Sequence, residues 1–385
     1  MKILVSVDSF KGSCSSYKAG EAITKGLVSA NPGAVVVNLP VADGGEGTVD
    51  AILCSKPGKR RRVMVTGPLG SPVEAEYAVL ANGTAVMEMS SASGLTLVKR
   101  EALNPLLATT YGTGQMMRAA LDEGCTTILL GIGGSATNDG GAGMAQALGA
   151  ALLDADGKEL GFGGQELARL ASIDTSRLDA RLKNCKIRIA SDVANPLCGK
   201  NGASRVYGPQ KGATPEMVEA LDDALAHYAA IIQADLDLEV ATAPGSGAAG
   251  GLGAGLLAFC DARFKSGIET VLELIDFEAH LQGADLVITG EGRIDLQTSF
   301  GKVPVGVAKA AKRAAGIPTI AIVGGIAKGA EAVYQQGIDA IFPIADGPLS
   351  LEESQARVLD LMERTANAVM RTWLAAQKKP AAAQN

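Results

Sequence analysis

The sequence predicts an α/β protein of two domains with mainly parallel sheets. Three observations lead there. Short apolar runs of strand length alternate with helical stretches at both ends of the chain. The middle changes to strand runs divided by turn signals. At 385 residues the chain is too long for one typical domain.

Residues 3–7 read as a buried strand, 17–30 carry helical periodicity, and 34–39 read as a second strand. A polar loop at 42–47 leads into a helix through Cys54. Strands at 63–66, 73–80 and 84–89 are separated by GPLGSP and ANG, which is antiparallel hairpin material. A helix at 113–123, a strand at 126–130, a glycine loop and a further helix follow, then a strand at 187–190. Long helices are expected at 215–233 and 251–259, and a strand at 285–289. Strands at 319–323 and 339–342 are each expected to precede a helix, the last being one helix over 351–376. The final strand–helix units resemble the first two, so residues 1–62 and 285–377 are expected to form one discontinuous α/β domain. Residues 63–284 are its inserted partner, and 378–385 a flexible polar tail.

Composition narrows the function. Hydrophobic residues make 47% and charged residues 20% of the chain, an ordinary globular balance. Aromatics are only 4%, which argues against stacking platforms for single-stranded nucleic acid. A net charge of −6 argues against a general polyanion binder but leaves room for a small anion. The cysteines (14, 54, 125, 185, 198 and 260) are scattered, and the only histidines are His227 and His280, so no zinc cluster of known spacing can be built. The thiols read as reduced. With no signal-peptide pattern and no run of membrane-span length, a cytoplasmic protein with neither membrane nor nucleic-acid partners is expected.

The most informative stretch is 126–150, TTILLGIGGSATNDGGAGMAQALGA. Strand, glycine loop and helix in that order suit an anion, because bare backbone approaches it and the helix amino-terminus adds positive potential. The loop has no Walker lysine, and Gly131, Gly133 and Ala136 match a dinucleotide fingerprint only in part. Its Ser135, Asn138 and Asp139 suit a hydroxylated ligand or a metal, and the plain alternative is a tight turn.

Other polar clusters also follow strands. They are Asp8-Ser9-Phe10-Lys11-Gly12, the 43–48 run DGGEGT, Asp192 with Asn195, and Glu291 with Arg293 and Asp295. Each alone reads equally well as a cap or turn. Together they supply carboxylates for Mg²⁺ or a proton, cations for phosphate or carboxylate, and glycine amides, which is the chemistry of phosphoryl transfer. A Ser-His-Asp hydrolase does not fit two helical histidines, and GSGAAG at 245 lacks nucleophile-elbow spacing.

These segments resemble the glycerate kinase family of the bacterial type I class. The resemblance rests on DSFKGSCSS at 8–16, PVADGGEGTVDA at 40–51, VTGPLG at 65–70 and EMSSASGL at 88–95. It continues through GIGGSATNDGGAGMAQALGA at 131–150, SDVANPLCGKNGASRVYGPQKGA at 191–213, PGSGAAGGLG at 244–253 and LVITGEGRIDLQTSFGKVP at 286–304. The motifs are collinear over nearly the whole chain. The resemblance implies two α/β domains, one flavodoxin-like, with an interdomain cleft as active site. It implies ATP-dependent phosphorylation of (R)-glycerate, to 2-phosphoglycerate in bacterial members of this type and to the 3-phosphate in other glycerate kinases, while Mg²⁺ is expected from the oxygen ligands themselves. A non-catalytic nucleotide or metabolite sensor on the same scaffold is the alternative from another class; loss of key acids would favour it, and they are present. A homodimer is the assembly considered.

Within that reading Asp192, ending a strand where desolvation would raise its basicity, is the candidate general base or Mg²⁺ ligand, with Lys11 as its catalytic companion. Lys11, Lys211 and Arg293 are candidates for the glycerate carboxylate and the γ-phosphate. Asp8, Ser9, Asn195 and the loop residues Gly133, Gly134, Ser135 and Asn138 complete the substrate- and phosphate-binding set. Asp43, Glu46, Asp139 and Asp295 are the candidate metal ligands.

Overall fold

The computed structural model describes residues 1–377, so the tail expected at 378–385 lies outside the described residues. Strands β1 (Lys2–Val7) and β2 (Val35–Asn38) open the chain. β3 (Gly58–Thr66), β4 (Pro72–Leu80), β5 (Thr84–Glu88) and β6 (Thr127–Gly131) follow, then the short β7 (Ala151–Leu153) and β8 (Ser172–Asp174). β9 (Lys186–Ala190) and β10 (Arg263–Lys265) precede β11 (Leu286–Gly290), β12 (Thr319–Val323) and β13 (Ala340–Pro343). Contacts divide these elements between two compact units.

The first unit holds Met1–Asp43, Asp50–Lys56 and the chain from Ile268 onward. The helical segment Gly267–Leu274 and the helix Phe277–Leu281 thus go almost wholly with the chain ends, whereas the sequence places them before the boundary at 285. The sheet of this unit runs β13-β12-β11-β1-β2, with every neighbouring pair parallel. Counted within the unit this is the flavodoxin-like order 2-1-3-4-5, whose switch point lies between β1 and β11. The strands are apolar on both faces because both are covered. Ile3, Val5, Val7, Ile288 and Ile322 pack on Ile23 and Leu27 of helix Ser16–Ala30 and on Leu361, Met362 and Val369 of helix Val358–Gln377. On the opposite face Ala321 and Val323 meet Val305 and Ala308 of helix Val303–Ala315.

Two expectations for this unit need correction. The last helix is two, Leu351–Ala356 and Val358–Gln377, separated at Arg357. Ser350 starts the first with a capping box to Glu353, a local signal that the sequence pattern 351–376 conceals. The segment after β12 is the 3-10 turn Ala330–Gln336, not an α-helix.

The second unit holds Gly44–Val49 and Pro57–Gly267. Its sheet runs β10-β9-β6-β5-β4-β3, parallel from β10 to β5 and antiparallel through β4 and β3. The hairpin read from GPLGSP is present, closed by Gly67 N donating to Ser71 O at 2.7 Å. Its first strand starts at Gly58 rather than Val63, because the arginine run is not a linker. Arg60 pairs with Glu76, Arg61 with Glu123, and Arg62 with Glu74 and Glu76. A charged outer strand also discourages pairing with another chain. The core joins Met87, Ile128, Leu130 and Ile187 to Met116, Leu225 and Tyr228. β7, β8 and β10 are only three residues each, too short to leave a periodic signal in sequence. Among the described residues no helix is long and apolar enough to cross a membrane.

The seam between helices Ser16–Ala30 and Val358–Gln377 depends on Gly26, where an added Cβ would lie 2.1 Å from the Glu363 carbonyl oxygen. Gly26→Ala is expected to lower stability by about 1–3 kcal/mol in urea unfolding, through overpacking against a fixed backbone. An unchanged midpoint would show that the two helices have room to separate.

Candidate active site

In open parallel sheets ligands gather beyond the carboxyl ends of the strands at the switch point. Here β1 runs into Asp8-Ser9-Phe10-Lys11 and the adjacent β11 into Glu291-Gly292-Arg293. A cavity of about 450 Å³ opens there, lined by Asp8, Ser9, Lys11, Asp43, Glu291, Arg293, Asp295 and Lys302, with Ser354 and Gln355 at its side. Thus six of the expected site residues (Asp8, Ser9, Lys11, Asp43, Arg293 and Asp295) are brought together in the first unit.

Two of the acids are buried, Asp8 at 6% exposure and Glu291 at 7%. Burial, then the nearby Asp43 carboxylate, pushes the Asp8 carboxyl up to about 8. The Ser9 amide, 2.7 Å from Asp8 Oδ1, and the Lys11 ammonium pull it the other way. Burial likewise pushes Glu291 up to about 7, against a hydrogen bond donated by the Thr298 hydroxyl and the charge of Lys302. Asp295 starts the 3-10 helix Leu296–Phe300, its Oδ1 accepting from the amides of Gln297 at 2.8 Å and Thr298 at 3.3 Å. The Ser9 hydroxyl is buried and finds no hydrogen-bond partner among the described residues. The cavity therefore combines crowded carboxylates, an orphaned hydroxyl and three cations.

The second unit holds the other expected residues and uses most of them differently. The glycine loop connects β6 to helix Ala142–Ala147. Asp139, expected as a metal ligand, is wholly buried and internally engaged. Its Oδ2 accepts from the Thr110 amide and hydroxyl, each at 2.8 Å, and from the Gly143 amide at 3.2 Å. Its Oδ1 accepts from the Gly141 amide at 3.2 Å. The helix amino-terminus read as an anion site thus already carries a carboxylate of its own chain. Burial raises the Asp139 carboxyl, and these hydrogen bonds oppose the rise.

Lys211 is also buried, its Nζ donating to Ser135 Oγ at 2.8 Å and to Thr137 O at 2.6 Å. Burial pushes its ammonium down to about 7 against the attraction of Asp139. Asn138 donates to Ser204 Oγ at 2.9 Å; Asn195 donates to Asn201 O and accepts from the Tyr207 hydroxyl, both at 2.9 Å. Gly133 and Gly134 of the glycine loop are exposed, and so, on separate segments, are Asp192 just beyond β9 and Glu46 on the 44–49 segment. The desolvation expected at Asp192 falls instead on Asp8 and Glu291. Beneath the loop, a Cβ at Gly131 would lie 1.8 Å from the Gly44 carbonyl oxygen, so backbone meets backbone. The Glu88 carboxylate holds the same segment by accepting from Val49 N at 2.9 Å and Gly47 N at 3.3 Å.

Lys302 and Glu88 are site-region residues that sequence reasoning missed. Lys302 immediately precedes helix Val303–Ala315, whose Pro304 marks a helix start, so a strand-to-helix loop was readable there. Among the described residues no three His, Cys, Asp or Glu side chains are grouped to enclose a metal.

The sequence model of the Glycerate kinase family matches residues 3–374. The chain belongs to the glycerate kinase family. It is 53% identical over 367 residues to a glycerate kinase of Bacillus subtilis (strain 168), covering 95% of this chain and 96% of that one. It is 50% identical over 373 residues to the glycerate 2-kinase of Escherichia coli (strain K12), covering 97% and 98%. The crystal structure of a candidate glycerate kinase 2 from Salmonella typhimurium LT2 superposes with a TM-score of 0.87 at 49% identity, covering 98% of this chain and 99% of that chain.

For this member of the glycerate kinase family, the raised Asp8 carboxyl makes a signed prediction. Between its ordinary value of 3.8 and about 8 the folded state holds more protons than the unfolded one. Its contribution to stability is therefore complete at low pH and lost as pH rises through that window. In metal-free buffer, Asp8→Asn should gain stability relative to the parent chain at about pH 9 compared with about pH 4, measured by urea unfolding. An equal difference at both would refute the buried, protonated state.

Proposed function

We propose that the protein transfers the γ-phosphoryl group of ATP, in the presence of Mg²⁺, to a hydroxyl of (R)-glycerate and releases 2-phosphoglycerate. The observation that carries this reading is the cavity at the β1/β11 switch point, where buried Asp8 and Glu291 meet Lys11, Arg293 and Lys302. Glycerate is a small anion with adjacent hydroxyls, and the transferred group brings further negative charge. Arg293 suits a carboxylate by its planar fork, while Lys11 and Lys302 offer compact charges to phosphoryl oxygens. The 2-position is supported by the 50% identity to the protein named glycerate 2-kinase.

Asp8 is assigned as the acceptor of the hydroxyl proton. It stands at the end of a central strand, lines the cavity and is desolvated, which raises its basicity toward the working pH. Exposed Asp192 lacks that environment. Glu291, held by the Thr298 hydroxyl, lines the same cavity, and Ser9 Oγ is a ready donor or acceptor for a ligand oxygen.

The donor set fits Mg²⁺. Asp43 and Asp295 offer carboxylate oxygens at the cavity, the kind of donor that binds Mg²⁺ together with phosphate oxygens. When bound, Mg²⁺ supplies neutralisation of phosphate charge. We assign the amides of exposed Gly133 and Gly134 to the nucleotide phosphates. Among the described residues no disulfide forms, which fits the reducing cytoplasm, where we place the enzyme.

Incubation with ATP, Mg²⁺ and glycerate should release ADP in a coupled assay, with phosphorus NMR showing the 2-phosphate. A 3-phosphate product would correct the regiochemistry, and no ADP release would sink the reading. Asp8→Asn should lower kcat by about 10²–10⁴-fold with thermal unfolding retained; near-normal turnover would move the base elsewhere, Asp192→Asn being the parallel variant. A chelator in excess should abolish turnover and Mg²⁺ restore it, whereas activity that survives chelation would remove the metal from the reaction.

A further inference from the structure

Among the described residues Lys211 is the one lysine or arginine that the fold buries, at 1% exposure. Enclosing an ammonium is costly unless its donors are used. Here they are used on the glycine loop, at two points: Ser135 Oγ at 2.8 Å and the Thr137 carbonyl at 2.6 Å. The lysine is itself held. It ends the 3-10 turn Pro209–Lys211, and at Gly212, with φ +90°, an added Cβ would lie 2.7 Å from the Leu103 carbonyl oxygen. The turn is therefore seated on the 103 segment, and the ammonium reaches the loop from a fixed base.

The pinned residues stand next to the exposed ones. Ser135 follows Gly134, which has φ +75°, and pairs through its backbone with Gly94. On the far side, the Asp139 carboxylate receives the Gly141 and Gly143 amides. The loop is thus fastened from inside by a cation at 135–137 and an anion at 139, and Gly133-Gly134 is the part left facing solvent. An ammonium so enclosed does not reach a ligand.

We infer that Lys211 is a positioning residue, which fixes the loop conformation that presents the Gly133 and Gly134 amides to nucleotide phosphates without touching the nucleotide. This rests on the assignment of those phosphates to the loop. Removal of the ammonium leaves the Ser135 hydroxyl and the Thr137 carbonyl without their donor, which should loosen the loop while the unit keeps its fold.

The test uses the full-length protein with Lys211→Met, Ser135→Ala and the double variant. Lys211→Met is expected to raise the KM for ATP about tenfold or more, with the KM for glycerate near that of the parent chain and a cooperative unfolding transition retained above the assay temperature. The effects of the two substitutions on ATP binding, followed by calorimetry, should be strongly non-additive, since one interaction is removed by either. Additive effects would mean that Lys211 acts on the ligand by itself and would overturn the inference. So would an unchanged KM for ATP, or a loss of ATP affinity that only tracks a fall in thermal midpoint. Where Lys211→Met does not fold, Lys211→Arg serves, because the planar fork keeps the charge but not the compact head, and the same KM split is expected. Failure of the parent chain to bind ATP at all would overturn the nucleotide reading and this inference with it. Tight ATP binding by parent and variant alike would overturn this inference alone.

Discussion

The parallel pairing of β1 with β11, from Ile3↔Leu286 to Val7↔Gly290, is the constraint on which the rest of the first unit depends. It joins the opening strand to one made after the whole second unit has been threaded through the chain. Five consecutive register pairs put Asp8 and Glu291 one residue beyond neighbouring strand ends. Gly290 is required there, since a Cβ would lie 1.9 Å from the Ile322 carbonyl oxygen. Such long-range closure adds entropy cost only slowly with length, but it delays the reward until late in folding.

What gathers at that strand edge is electrostatically uncomfortable. Two buried acids and two partly exposed ones share one cavity, and the buried pair responds by holding protons well above the ordinary carboxylate range. The charges of Lys11 at Asp8 and of Lys302 at Glu291 offset this only in part, as the raised carboxyls show. A site of this kind is less stable alone than when a ligand supplies the missing charge and hydrogen bonds, and tension between stability and function is common at catalytic centres. The second unit resolves its buried charges internally instead: Asp139 and Lys211 each satisfy backbone or hydroxyl partners from the same loop system.

That contrast explains what could be read beforehand. Strand-end position is visible in sequence, so Asp8, Lys11, Arg293 and Asp295 could be nominated from their place after apolar runs. Burial is not visible. Asp139 and Lys211 have the residue types of ligands and sit in the right motifs, yet packing turns them inward, while Asp192 faces water where desolvation was expected. The parallel core strands were legible because each is a short apolar run covered on both faces. The start of β3 was not, since Gly58-Lys59-Arg60-Arg61-Arg62 has the composition of a linker and becomes a strand only through acids supplied by β4 and Glu123.

The path of the backbone between the units has a consequence for inheritance. The chain changes unit at 43/44, at 49/50, at 56/57 and at 267/268, and the six-residue piece Gly44–Val49 satisfies Glu88 and meets Gly131 in the second unit. Neither unit can be excised by cutting one linker. A gene fragment encoding residues 57–267 would lose the strand-end cover that Gly44–Val49 provides, and one encoding the remainder would carry that piece without its partner. A continuous fragment that keeps the second unit whole, residues 44–267, therefore has to carry residues 50–56 of the first unit with it.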